Sequence, residues 1–223
     1  MRARRCSSQG GNFNERPSSA SGSSIAKPEG LLIGSFAANP AYEGKTVAEI
    51  AVMRREDAAS TLMGLIAESL EWEKANPGRS GESVVATSMD EGDIAELLAW
   101  EHSNICSDGA LDGAHPRGFG AFPRVLGKYV REQGVLTLEE AVMKMTSLSA
   151  AHVGITRRGT IKAGDFADLV LFDPATVADN ATPAEPHRVS TGIARVWVNG
   201  RTVWQEGRTV ASHSGRALRR QAQ

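Results

Sequence analysis

Apolar and polar positions follow three regimes along this chain. Residues 1–27 show no period; they are polar and Ser-rich, with too little apolar surface to offset the entropy of ordering, and this predicts disorder. The apolar run Leu31 to Ser35 predicts a buried strand. Thr46-x-x-Glu49 has the form of a capping box, in which the hydroxyl accepts from the third helical residue and the carboxylate reaches back. It opens a short helix through Met53. A second helix is expected after Asp57, with Ala58, Leu62, Leu65, Ile66 and Ser69–Leu70 on one face, ending at Pro77-Gly78.

The next unit repeats the alternation. Ser83 to Thr87 reads as a strand, Ser88-x-x-Glu91 as a second capping box, and Ile94, Leu97 and Leu98 as one helical face. Asn104 to Ser107 reads as a further strand that ends on Asp108-Gly109. Strand, helix, strand in this order predicts parallel β-structure with helical crossovers. Thr137-x-x-Glu140 is a third capping box, with Leu138, Ala141, Val142 and Met145 inward, and Gly154 has the place of a C-cap. From Gly159 the period shortens. Ala167 to Asp173 forms a strand, and the runs Ile193–Val198 and Thr202–Trp204 flank Asn199-Gly200. Asn-Gly between two β-rich runs is a strong hairpin signal, because both turn residues must take positive φ.

Charge is unevenly spread. Residues 1–27 carry five basic side chains and one acid, residues 208–223 carry four arginines and no acid, and the body between them is net −9. An acidic body argues against nucleic-acid binding, and the basic ends read as solvated tails. Cys6 and Cys106 offer neither metal spacing nor a disulfide framework, which fits a reducing, cytoplasmic setting. No apolar run is long enough to suggest a membrane span, and the polar stretch after Met1–Arg5 does not read as a secretory signal.

Candidate chemistry gathers on one loop. Asp108 ends a predicted strand, where a carboxylate can move a proton or ligate a metal; an Asp before Gly also simply makes turns. Arg117, in His115-Pro116-Arg117, offers a flat fork of donors suited to a carboxylate. His102, His152, His187 and His213 are isolated, without the close pairs that zinc sites use. Cys106 reads as a buried, inert thiol, and Met89 and Trp100 as packing residues.

Several stretches together resemble the C-terminal part of the D-aminoacylase family of the amidohydrolase superfamily. They are Ser107-Asp108-Gly109 with His115-Pro116-Arg117, Phe122-Pro123-Arg124-Val125-Leu126-Gly127, Leu138-Glu139-Glu140-Ala141-Val142, and Gly159-Thr160-Ile161 through Ala167-Asp168-Leu169-Val170. The resemblance covers about residues 30–210. It implies an α/β fold, the C-terminal part of a (β/α)8 barrel plus a small β-sandwich module. The divisions it suggests are a disordered segment 1–27, a barrel part 28–157, a β module 158–210 and a basic tail 211–223.

It also implies an N-acyl-D-amino-acid deacylase, a hydrolase of non-peptide C–N bonds, with an N-acyl amino acid as small-molecule partner. In such an enzyme the Asp matching Asp108 shuttles the proton and is a possible metal ligand. The Arg matching Arg117 holds the substrate carboxylate, while Met89 and Tyr42 line the substrate. One zinc is implied as cofactor, held by histidines and a cysteine expected before Leu31, where this chain has its polar segment instead. A barrel takes about 250 residues. The expectation is therefore a truncated or split hydrolase that associates with itself or with a complementing chain. The alternatives are a non-catalytic remnant or partner module, or a hydantoinase-like cyclic amidase.

Overall fold

In a computed structural model, the structure describes residues 27–110, 113, 115–210 and 213–218. The expected disorder of residues 1–27 falls outside this range except for Lys27.

The first unit is built on strand β1 (Leu31–Phe36), helices α1 (Val47–Arg54) and α2 (Ala58–Ala75), and strand β2 (Glu82–Ala86). The capping box at Thr46 and Glu49 forms in full, and Asp57 caps α2 by accepting from Ala59 and Ser60 N–H. Ile33, Phe36, Val47, Ile50 and Leu65 close the core of this unit. The α2 stripe is narrower than the sequence suggested: Thr61, Leu65 and Ser69 are buried, whereas Ile66 and Leu70 face out. The parallel structure expected of Ser83–Thr87 with Asn104–Ser107 does not form among the described residues, and strands β1 and β2 pair antiparallel with a register shift between Ile33 and Ser35. Two helices rather than one intervene, so the chain returns to the sheet in the opposite sense.

The second unit is helical. It comprises α3 (Glu91–Ala99), α4 (Arg117–Arg124), a π-helical segment (Val125–Glu132), α5 (Leu138–Met145) and α6 (Ser147–Val153). The cap of α3 is Asp90, which accepts from Gly92 N–H, so the capping box expected at Ser88 does not form. The box at Thr137 and Glu140 does form, and Gly154 ends α6 with φ of 72°. Val125, Leu126, Tyr129, Leu136, Ala141 and Val177 make the second core, with Ile94 and Leu98 of α3 packed on it. Leu97 and Val142, expected inward, are exposed. Glu91 accepts from Lys128 Nζ at 2.7 Å and from the Tyr129 hydroxyl at 3.1 Å, which fastens α3 to the π-helical segment.

Asn104 to Ser107 pairs with no strand among the described residues, contrary to expectation. The buried Lys144 holds this stretch. Its Nζ donates to Trp100 O, to Ser103 O at 3.1 Å and to Ser103 Oγ at 3.0 Å, and its carbonyl accepts from Ile105 N at 3.3 Å. A buried ammonium is tolerated only when its donors are used, and here all three are.

The third unit is one antiparallel sheet in the order β3 (Leu169–Phe172), β4 (Ile193–Val198), β5 (Arg201–Gln205), β6 (Arg208–Thr209). Asn199 and Gly200 turn β4 into β5 with φ of 51° and 78°. After residue 158 the described residues give this single sheet, not the two layers of a sandwich, and the described residues as a whole show no barrel. Of residues 213–218 all but Ser214 are exposed; Ser214 O accepts from Asn199 Nδ2 at 2.5 Å, and the Arg216 guanidinium lies 4.6 Å from the centre of the Phe166 ring. Among the described residues no helix is long and apolar enough to cross a membrane.

Lys144→Met keeps the side-chain volume but orphans the acceptors at Trp100 and Ser103. It should cost roughly 1–3 kcal/mol in urea unfolding. Lys74→Met, which removes one half of an exposed pair with Glu71, should cost less than about 1 kcal/mol. Equal losses would mean that Lys144 ties nothing down.

Candidate active site

Asp108 follows the stretch held by Lys144. It takes the left-handed conformation with φ of 46°, which Asp tolerates better than most residues. This sharp turn is followed by a close backbone crossing. A Cβ at Gly109 would lie 2.5 Å from the Gly118 Cα, and a Cβ at Gly118 would lie 3.1 Å from Ala110 O. The loop thus closes on itself at two glycines and returns the chain to the start of α4. Arg117 is the first residue of α4, and its Nη2 lies 3.0 Å from Asp108 Oδ2.

His115 finishes the turn. Its Nδ1 accepts from the Arg117 N–H at 3.1 Å and so caps α4 locally. Burial, and then the nearby Arg117 cation, lower the pKa of His115 below the ordinary imidazole value, against the opposing pull of Asp108. A neutral imidazole is what the capping role requires, because a protonated Nδ1 cannot accept. The sign follows. As pH falls through about 6.5, an unfolded chain takes up the proton first, so the loop is most favoured above that range and loses stability below it.

The Asp108–Arg117 pair stands in water contact, with the two side chains 77% and 47% exposed. An exposed pair of this kind contributes about 0.2–1 kcal/mol, so an incoming anion can displace the carboxylate from the guanidinium. The arrangement can therefore bind a carboxylate at Arg117 and release Asp108 as a proton acceptor within the same small volume.

The other sequence candidates lie apart from this pair. Met89 is exposed on the connector between β2 and α3. Tyr42 belongs to the first unit: its ring meets Phe36 at 5.9 Å, its hydroxyl accepts from Arg54 Nε at 3.2 Å, and it borders an open cleft of about 910 Å³ with Arg54, Glu68 and Trp72. Cys106 is exposed. Among the described residues no three His, Cys, Asp or Glu side chains converge on one point. Of the described loop residues, Asp108 faces an arginine and His115 Nδ1 already accepts from the Arg117 N–H. These residues do not by themselves make a metal cradle.

Sequence reasoning missed the paired glycines that bring Asp108 to Arg117. It also missed the Pro174–Thr191 excursion between β3 and β4, which reaches back to α4. The Gly-rich stretch 109–120 was the available signal for the first.

Comparison with known proteins finds similarity over the stretch that contains this loop. The model of the amidohydrolase family matches residues 103–204. A D-aminoacylase of Alcaligenes xylosoxydans xylosoxydans is 52% identical over 136 residues, covering 60% of this chain and 28% of that protein. A solved structure of D-aminoacylase superposes with a TM-score of 0.74 at 38% identity, over 85% of this chain and 38% of that one. A solved N-acyl-D-glutamate deacylase from Bordetella bronchiseptica, in complex with zinc and a phosphonate mimic of the tetrahedral intermediate, gives 0.69 at 35% identity, over 81% and 35%. The chain thus spans well under half the length of the relatives it matches.

Arg117→Gln keeps the backbone N–H that His115 accepts from but removes the neighbouring cation. An NMR titration should show the His115 pKa moving up. An unchanged or lower value would mean that Arg117 does not act on His115 through space.

Proposed function

We propose that this chain, which carries the C-terminal portion of a D-aminoacylase-type amidohydrolase, supplies the proton-transfer and carboxylate-binding groups for hydrolysis of N-acyl-D-amino acids. The observation that carries this reading is the 3.0 Å approach of Asp108 and Arg117, inside the stretch that matches the amidohydrolase family.

The steps assigned to these residues are few. The substrate carboxylate takes the guanidinium fork of Arg117 as two charge-assisted hydrogen bonds. Asp108, displaced from the pair, is then a free carboxylate beside the amide. It accepts a proton as water adds to the carbonyl carbon, and returns that proton to the nitrogen as the C–N bond breaks. The products are a carboxylate and a D-amino acid. Met89, a flexible apolar side chain suited to an adaptable contact, and Tyr42 are assigned to the substrate lining.

Zinc accompanies the solved N-acyl-D-glutamate deacylase. The described residues of this chain do not form a site for it, so no step is routed through a metal. We assign the Asn104–Ser107 stretch to the last strand of a (β/α)8 barrel. In support, its one backbone hydrogen bond outside the stretch, among the described residues, is the donation from Ile105 N to Lys144 O, which leaves its other ladder groups free. The divisions at residues 27/28, 157/158 and 210/211 belong to the same proposal.

The test is steady-state kinetics and binding with N-acetyl-D-leucine and its carboxamide. Asp108→Ala should lower turnover by about 10²–10⁴-fold with little change in affinity. Arg117→Ala should cost about 1.5–3 kcal/mol, read mainly as a raised KM for the acid and hardly at all for the amide. A chain that neither hydrolyses the acid nor binds it in preference to the amide would sink the proposal.

A further inference from the structure

Helix α4 carries Arg117, and its own hydrogen-bond ladder is incomplete. Pro123 lies inside it and has no N–H, so the carbonyl of Phe119, four residues earlier, loses its helical partner. The missing donor comes from elsewhere: Ser190 Oγ donates to Phe119 O at 3.1 Å. Ser190 lies on the Pro174–Thr191 excursion between β3 and β4, and this arm meets α4 and its loop at further points.

Asp179 is the firmest of them. Its side chain is only 6% exposed and accepts from Arg124 Nε at 2.8 Å. Its Oδ1 also accepts from Ala181 N at 2.8 Å, which fixes the carboxylate within the arm. The carboxylate sits against Gly120, where any Cβ would collide with it. His187 Nε2 lies 3.0 Å from Gly113 O on the same loop as His115, and its ring meets Phe119 at 5.1 Å. The base of the arm is anchored in turn, because Val177 is fully buried in the second core and its carbonyl accepts from Arg131 Nη1 at 2.7 Å.

We infer that this arm is a positioning element for Arg117. Asp179 and Ser190 set where α4 aims the guanidinium, and thereby set the selectivity for substrates that carry a free carboxylate. The inference rests on the carboxylate-binding reading of Arg117 and adds residues more than fifty positions away to it. Neither Asp179 nor Ser190 touches the substrate. Asp179 acts through the Arg124 pair and the Gly120 face, and Ser190 through the carbonyl that Pro123 leaves open. A shift of α4 on the order of 1 Å is enough to spoil a two-point contact.

The experiment compares wild type, Asp179→Asn, Asp179→Ala, Ser190→Ala and Arg117→Ala, each checked for a cooperative melt. Two readouts are taken: the preference for N-acetyl-D-leucine over its carboxamide, and the NMR resonance of Arg117 Nε. Asp179→Ala should lower the preference about tenfold through KM, with kcat nearly constant. Asp179→Asn and Ser190→Ala should have smaller effects in the same direction, and all three should shift the Arg117 resonance. A preference lost in Arg117→Ala but kept in Asp179→Ala overturns the inference and leaves the carboxylate reading intact. If Arg117→Ala also keeps the preference, that reading is what fails, and the resonance decides the arm: a signal unmoved by Asp179→Ala overturns the positioning role too. Ser190→Ala lies at the surface of the arm, so it keeps the test open should Asp179→Ala not fold.

Discussion

The second core, gathered on the π-helical segment Val125–Glu132, is the packing on which the candidate site depends. Val125, Leu126 and Tyr129 of that segment meet Ala141 of α5 and Val177 of the arm, and α3 rests on the same cluster through Ile94 and Leu98. Every route to the Asp108–Arg117 pair passes through one of these elements. The stretch before Asp108 is held by Lys144 of α5, Arg117 begins the helix that runs into the π-helical segment, and the arm that steadies this helix is rooted at Val177. The wide turn itself begins two residues after Pro123, where the regular helical ladder has already been broken. Insertions of this kind recur at functional sites because they re-aim side chains without ending a helix.

Much of the local structure was legible because it rests on short-range chemistry. The capping boxes at Thr46 and Thr137, the helix start after Asp57, the αL ending at Gly154 and the Asn199-Gly200 turn each depend on a few neighbouring residues, and each is present as read. The box at Ser88 failed for the same kind of reason: Asp90, two residues later, is the stronger acceptor, and it caps α3 directly. Long-range features were not legible. The antiparallel pairing of β1 with β2 depends on how two consecutive helices return the chain, and hydrophobic period does not encode direction. Asn104 to Ser107 has the composition of a strand, but strand identity requires a partner.

The site was legible in part. Asp108 and Arg117 were read separately, one from a strand end and one from a loop, and their contact depends on Gly109 crossing Gly118. Two glycines nine residues apart carry no periodic signal. Asp179 is further from recognition still. In sequence it is an acid in a polar stretch, and only its burial against Gly120 and its bond to Arg124 distinguish it.

The two cores share no residue. Phe36, Ile50 and Leu65 close one, and Leu126, Tyr129 and Val177 the other. Such a chain has two cooperative units, each able to open locally at its own free energy while the other stays shut. Met89, on the connector between β2 and α3, is then a joint rather than part of either unit. Tyr42 packs on the first core and the Asp108 loop leads into the second, so opening of one unit leaves the packing of the other in place.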